Sequence, residues 1–301
     1  SLVSAGHSTA VLRAASYASP MAAFQDGMAG IAYYQFIEKL DREFDDRKEE
    51  IIENLKSLMV EILRPENLCI SYTGERESLD SVQKQIRELK KTLHQEVTES
   101  SSSEMICQKK NEGFMTSGQV QYVAQAGNFR KKGYDYTGAL NILKVALSYD
   151  YLWINIRVKG GAYGCMSGFK YSGESFFVSY RDPHLKRTFD VFAGIPDYVR
   201  FQADEREMTK YIIGTISGKD VPKTPQMKGS ISKAAWFCGL KEEMVQKERD
   251  EILNAQAEDI QALAPLIEAI LSDEEICVVG SEPEVQKEKE LFMNISPLIN
   301  G

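Results

Sequence analysis

Ser179-Tyr180-Arg181-Asp182-Pro183, followed by Ala193-Gly194-Ile195-Pro196-Asp197-Tyr198, echoes an earlier run: Ser16-Tyr17-Ala18-Ser19-Pro20, followed by Ala29-Gly30-Ile31-Ala32-Tyr33-Tyr34. The offset is 163 residues, 179 less 16. Self-similarity at this distance marks two related units in one chain. In each copy an aromatic, strand-like end meets Ser or Asp and then Pro. That is the pattern of an N-cap followed by proline at the first helical position, where its missing N–H costs nothing. Both copies are expected to read strand, cap, helix.

The echo continues outward. Ile51, Ile52, Leu55, Leu58, Met59, Ile62 and Leu63 form a helical apolar stripe that ends at Pro65, before an expected short strand Leu68–Tyr72 and a turn at Gly74. Ile260, Leu263, Leu266, Ile267, Ile270 and Leu271 repeat the stripe, and Ile276–Val279 repeats the strand before Gly280. Here the offset is 208, 277 less 69, so the second copy carries 45 extra residues, most simply Gly214 to Lys247. Prolines mark a loop over Lys219–Pro225 inside that insertion. Between the copies, Glu75–Leu93 reads as a charged helix, and Glu99–Glu104 is a low-complexity stretch where the domain boundary is expected. Residues 1–98 are then the C-terminal part of a first α+β domain plus a connecting helix, and residues 99–301 a second, complete one. Within it, Gly118–Phe129 alternates as a strand with Val120, Tyr122 and Ala124 on one face. Thr137–Arg157 is apolar enough for a buried helix, and Ala162–Tyr180, broken at Ser172-Gly173, reads as a β-hairpin. The fold class is α+β: two related units, each an antiparallel or mixed sheet covered by helices, the first unit incomplete. Apolar faces and a sheet edge left open near residues 1–75 are expected to drive self-association.

A length of 301 residues favours two domains over a single core. With 44 acidic and 36 basic residues the net charge is −8, which recommends neither nucleic acid nor an anionic membrane as partner and favours basic peptides at long range. No run of 18 apolar residues occurs and the first 30 residues lack a basic flank followed by an apolar stretch, so neither a membrane span nor a signal peptide is expected. Cys69, Cys107, Cys165, Cys238 and Cys277 are scattered, without a C-x-x-C pair, so neither a disulfide framework nor a zinc knuckle is expected. A soluble, intracellular chain follows, in a bacterial cytoplasm or an organelle matrix. The charge runs Asp41–Glu50 and Glu282–Glu290 read as solvated helix faces.

The densest unusual spacing is Arg157-Val158-Lys159-Gly160-Gly161-Ala162-Tyr163-Gly164, where the buried helix meets the hairpin. Its glycines suit a helix C-cap and a close backbone approach. They match neither G-x-x-x-x-G-K-[ST] nor G-x-G-x-x-G, so a phosphate loop is not indicated. Arg157 and Tyr163 are both donors: a guanidinium grips a peptide carbonyl or terminal carboxylate, and a phenol donates to an oxyanion forming on a scissile carbonyl. Gly160, Gly161 and Ala162, between them, are the candidate substrate-binding backbone. Neither side chain activates water alone.

On Arg157–Gly164, Ser179–Pro183, Lys210-Tyr211-Ile212-Ile213-Gly214-Thr215-Ile216, Lys247-Glu248-Arg249-Asp250-Glu251-Ile252-Leu253 and Tyr33-Tyr34-Gln35-Phe36-Ile37, the chain resembles the C-terminal half of the presequence-protease group. That group lies within the pitrilysin and insulin-degrading-enzyme family of zinc metallopeptidases, the inverzincins. The resemblance implies a clamshell of two halves, each of two related α+β domains, around a chamber that admits unfolded peptides. It implies that zinc and a general-base glutamate sit on an H-x-x-E-H helix of the N-terminal half, while the C-terminal half supplies an arginine and a tyrosine at the spacing of Arg157 and Tyr163. The catalytic assignment here is therefore Arg157, positioning the peptide, and Tyr163, stabilising the oxyanion. His7, His94 and His184 are far apart and form no zinc motif, so no metal is expected on this chain and no activity from it alone. Its expected partners are the zinc-containing N-terminal half and unfolded peptides. The alternative is a non-catalytic peptide-binding or assembly subunit of the same family: a pure scaffold has no need of the Arg157–Tyr163 pair, whereas a peptide clamp still uses the arginine. Phe169, Tyr171, Phe176 and Phe177 of the hairpin read as core.

Overall fold

The computed structural model describes residues 2–96, 105–200 and 205–299, so the low-complexity run chosen for the boundary lies outside the described residues. Along the chain come helices α1 (Gly6–Ser16), α2 (Pro20–Ala29), α3 (Ile31–Arg42), α4 (Phe44–Ile62) and α5 (Leu79–Thr92). Strands β1 (Glu112–Thr116) and β2 (Tyr122–Asn128) precede α6 (Ala139–Ala146), which runs on into π-helical turns over Leu147–Tyr151 and Trp153–Val158. The hairpin β3 (Gly164–Phe169) and β4 (Glu174–Tyr180) leads to α7 (Lys186–Ala193), α8 (Ile195–Arg200) and α9 (Glu205–Lys219). Then follow α10 (Pro225–Cys238), α11 (Glu242–Leu253), α12 (Ala257–Gln261), α13 (Ala264–Leu271), β5 (Glu275–Ser281), α14 (Glu282–Lys287) and β6 (Asn294–Pro297). Two compact units divide the chain: one of Ser1–Gln35, Glu104–Asp220 and Gln246–Gly301, the other of Phe36–Ser103 and Val221–Val245.

The larger unit is α+β, built on a mixed six-stranded sheet in the order β3-β4-β2-β5-β1-β6. The β1–β5 and β1–β6 pairs are parallel, and the β2–β4, β2–β5 and β3–β4 pairs antiparallel. Because strand side chains alternate, β2 serves two cores at once. Tyr122, Ala124 and Ala126 point to the core shared with Ala10, Ala14 and Tyr17, whereas Val123 joins Leu140, Leu143, Leu147 and Ile267 on the opposite face. The sheet thus lies between α1 on one side and α6, α8 and α13 on the other. Fully buried Ala10 and Ala14 let α1 lie close to the strands, and Gly6 is required there: a Cβ would stand 2.3 Å from the Tyr122 ring.

A buried ionic cluster ties α1 to β1. Arg13, 5% exposed, donates to both carboxylate oxygens of Glu112 (2.6 and 3.0 Å) and to Asp26 (2.6 Å), and Tyr17 donates to Glu112 at 3.1 Å. Burial works hardest against the Arg13 charge, yet these partners hold its pKa above the ordinary guanidinium value. Asp26 also accepts the backbone N–H of Ile31 at 2.9 Å.

Several local expectations are corrected. The residues before Ser16 form α1 instead of a strand end, since the alanine-rich run favours helix. Ser19 does cap α2, accepting the Ala22 N–H at 3.2 Å with Pro20 at the first position. In the later copy Asp182 does not cap a helix at Pro183. It accepts the His184 N–H at 2.9 Å and the Thr188 hydroxyl at 2.6 Å, and α7 starts only at Lys186. His7 belongs to α1, and His94 lies just past the end of α5. Gly164 lies in an uncrowded place, 3.9 Å from the Tyr180 Cβ for an added Cβ.

In the smaller unit, α4, α5 and α10 contribute no buried residue, and Leu55, Leu58, Met59 and Ile62 of the α4 stripe are exposed. Thr224 caps α10 by accepting the Met227 N–H, with Pro225 at the first position. Leu68–Tyr72 is not a strand: no neighbouring strand pairs with it among the described residues. Cys69, Ile70 and Ser71 instead line a shallow cavity of about 290 Å³ with Trp236 and Phe237.

Candidate active site

The motif loop begins where the π-helical turns end. Those turns are closed by bonds such as Lys159 N–H to Ile154 C=O at 2.8 Å, a spacing that marks functional segments in many helices. The chain then reverses at Gly161, whose φ of +79° is open to glycine and strained for other residues. The Gly161 and Ala162 N–H groups return to the C=O of Arg157 (2.8 Å) and Ile156 (3.1 Å), which satisfies the helix end. Gly160 serves a different purpose. It is buried, and an added Cβ would stand 2.3 Å from the Ile156 carbonyl oxygen and 2.5 Å from an Arg187 nitrogen. The left-handed cap is therefore Gly161 alone. Ala162 is buried in the core beneath the loop, so its side chain faces away from any ligand.

The fold brings Arg157 and Tyr163 together. Arg157 donates Nη1 to the Tyr163 carbonyl at 2.6 Å, and its guanidinium carbon lies 4.2 Å from the Trp153 ring centre and 5.5 Å from that of Tyr163. The Tyr163 side chain is 63% exposed, while its backbone N–H is held by the carbonyls of Tyr180 (3.0 Å) and Arg181 (3.3 Å). The ring is thus anchored at its base and free at its hydroxyl.

A ladder of rings continues from it. Tyr163 meets Tyr180 edge to face at 5.7 Å, Tyr180 meets His7 at 4.8 Å and Tyr122 at 5.6 Å, and Arg181 lies 5.5 Å over the Tyr180 ring. A hydrogen bond with Tyr122 leads the causes that raise the Arg181 pKa; burial lowers that of His7, whose Nδ1 is buried without a partner. Arg181 is one of three non-glycine residues with positive φ among those described, at +50°. Neither Arg157 nor Arg181 meets a carboxylate within 4.0 Å among the described residues. Trp153 and His7 join this surface without any signal in the motif; Tyr180 and Arg181 were visible in the run before a proline and in the resemblance, but with no role assigned.

Residues 111–282 match the family described as PreP C-terminal domain. The chain belongs to this family. Its relatives include Protein HypA of Clostridium perfringens, 40% identical over 295 residues, covering 98% of this chain and 30% of that protein. Presequence protease 1, chloroplastic/mitochondrial, of Arabidopsis thaliana is 29% identical over 286 residues, covering 93% of this chain and 26% of that protein. The chain thus spans less than a third of the length of these relatives. Crystalline pitrilysin superposes with a TM-score of 0.47 at 15% identity, over 66% of this chain and 22% of that one.

The described residues of this PreP C-terminal domain form no site that fits zinc. No group of three or more His, Cys, Asp or Glu side chains among the described residues is placed to hold a metal ion. His7 stands against tyrosine rings, His184 donates its backbone N–H to Asp182, and His94 donates its own to Leu63. No helix among those described is long and apolar enough to cross a membrane.

Proposed function

We propose that this chain is the non-zinc C-terminal half of a zinc metalloendopeptidase that degrades unfolded peptides in a closed chamber. One observation carries the reading. Arg157 and Tyr163 sit on one pinned loop, the first bonded to the backbone of the second, with the tyrosine exposed and, among the described residues, no carboxylate competing for the guanidinium. In that role Arg157 holds a peptide carbonyl, Tyr163 donates to the oxyanion that develops on the scissile carbonyl, and the exposed backbone at Gly161 lets an extended peptide approach. The step at the metal belongs to the N-terminal half. Arg157 also supports Tyr163: its bond to the Tyr163 carbonyl and its stacking on Trp153 fix the direction of the loop before substrate arrives.

The test is cleavage of an unstructured fluorogenic peptide by the chain alone and after mixing with a separately expressed zinc-containing half. Activity only on mixing, reduced about a hundredfold by Tyr163→Phe, supports a shared catalytic site. Peptide binding without restored cleavage transfers the assignment to a non-catalytic binding subunit. The exposed apolar stripe of α4 supports self-association of the isolated chain; a light-scattering mass that stays monomeric at high concentration refutes it.

A further inference from the structure

We infer that Arg181 is a second substrate-positioning cation, and that with Arg157 it makes the Tyr163 surface selective for a peptide carrying a carboxylate. This rests on the reading that the Arg157–Tyr163 loop faces peptide. Two independent observations lead to it. First, Arg181 occupies a left-handed backbone conformation, φ +50°, that long side chains rarely adopt and glycine adopts freely. The surroundings enforce it: the Arg181 carbonyl accepts the Tyr163 N–H, and the adjoining Asp182 pairs with Gln121 through both backbone groups, at 2.7 and 2.8 Å. A loop that needs only a turn is served better by glycine, so the arginine side chain is the feature retained at the expense of backbone ease.

Second, the guanidinium is exposed yet has no carboxylate partner among the described residues, in a chain of net charge −8. It lies over Tyr180, which is in turn edge-on to Tyr163, and Arg157 lies over Tyr163 from the helix side. The exposed phenol is therefore reached by one guanidinium, bonded to the Tyr163 carbonyl, through its own ring and by another, bonded to Tyr122, through its neighbour. Planar, stacked guanidinium groups of this kind recognise carboxylates through paired N–H donors. The carboxylate is either the C-terminus of a peptide or an Asp or Glu side chain.

The experiment is a fluorescence-anisotropy titration of the 301-residue chain with three labelled, unstructured peptides: a free C-terminal acid, its C-terminal amide, and the amide with one Gln replaced by Glu. The expected result is about tenfold tighter binding of one or both carboxylate-bearing peptides than of the neutral amide. Preference for the free acid alone identifies the C-terminus, and preference for the Glu peptide alone identifies an acidic side chain. Arg181→Gly should abolish the difference between the carboxylate-bearing peptides and the neutral amide. Because glycine relieves the backbone strain, this variant should melt no lower than the wild type, which separates lost recognition from misfolding. Equal affinity for all three peptides, or a preference that survives Arg181→Gly, overturns the inference. Failure of every peptide to bind overturns the peptide-facing reading itself.

Discussion

Gly160 and Gly161 are adjacent, yet substituting them has unequal effects for different reasons. At Gly161 an alanine meets only the left-handed backbone, with its nearest neighbour 3.7 Å away, so Gly161→Ala should cost about 1 kcal/mol. At Gly160 the new methyl group collides with carbonyl oxygens of Ile156 and Asn155 that the helix end cannot move, and Gly160→Ala should cost about 2–3 kcal/mol. Urea denaturation of the two variants checks the order; a larger loss at Gly161 contradicts it. Arg157 and Tyr163 were legible in the sequence because only five residues, a glycine pair among them, lie between the two. Trp153 and Arg181 were not. The first enters by stacking four residues earlier along π-helical turns, and the second by a backbone conformation that carries no compositional mark at an arginine.

At the level of elements, two buried carboxylates act with opposite sign. Glu248 on α11 accepts from the Tyr136 hydroxyl (2.7 Å), the Tyr171 hydroxyl (2.9 Å) and the Asn141 amide (2.7 Å), and pairs with Lys219 at 3.0 Å. It joins α11 to α6 and to the hairpin tip, where Tyr136 and Tyr171 stack at 3.9 Å. Glu248→Ala leaves these donors unsatisfied and should cost about 3 kcal/mol by chemical denaturation. Burial opposes its charge most, but the three side-chain bonds from Tyr136, Lys219 and Tyr171 win and its pKa falls below the ordinary 4.5. Its stabilisation is therefore full above pH 4.5 and lost as pH drops through the depressed value. Glu275 on β5 is the reverse. Burial first, then Asp273, raise its pKa to about 7, so the folded state holds the proton more tightly than the unfolded chain. Stability contributed at this site falls as pH rises from 4.5 to about 7. Glu275→Gln should accordingly be more stable than wild type at pH 8 and lose that advantage by pH 4.5; a difference that does not vary with pH excludes the effect. The elements themselves were largely legible: period-two alternation gave β2, though it starts at Tyr122 and leaves Val120 outside, and the helical stripes gave α4 and, as one stripe that the structure breaks at residues 262–263, α12 and α13. β1 and β6 were not, since Gly113 and Pro297 break the strand pattern. Gly113 is there because a Cβ would stand 2.8 Å from Val285, and Pro297 is tolerated on the sheet edge.

Across the whole molecule, buried apolar side chains concentrate in the larger unit, on both faces of the six-stranded sheet, while the helices of the smaller unit bury almost none of their own. Local opening follows buried contact, so backbone amides of α4, α5 and α10 should exchange with solvent on the order of a hundredfold faster than those of β2, β4 and β5. Hydrogen exchange read by mass spectrometry tests this; equal protection in both units refutes it. The sheet order has a further consequence, for synthesis. β5 lies between β2 and β1, and β6 flanks β1 on the other side, so β1 pairs only with strands made more than 150 residues after it, as the register Glu112 to Cys277 and to Asn294 shows. During translation β1 therefore stays without either neighbour, and β2 with an open edge, until the ribosome has passed residue 281, and β1 keeps one open edge until residue 297. The aggregation hazard of this sheet lies in the strands made first, and their protection falls to whatever binds emerging polypeptide until the last strand arrives.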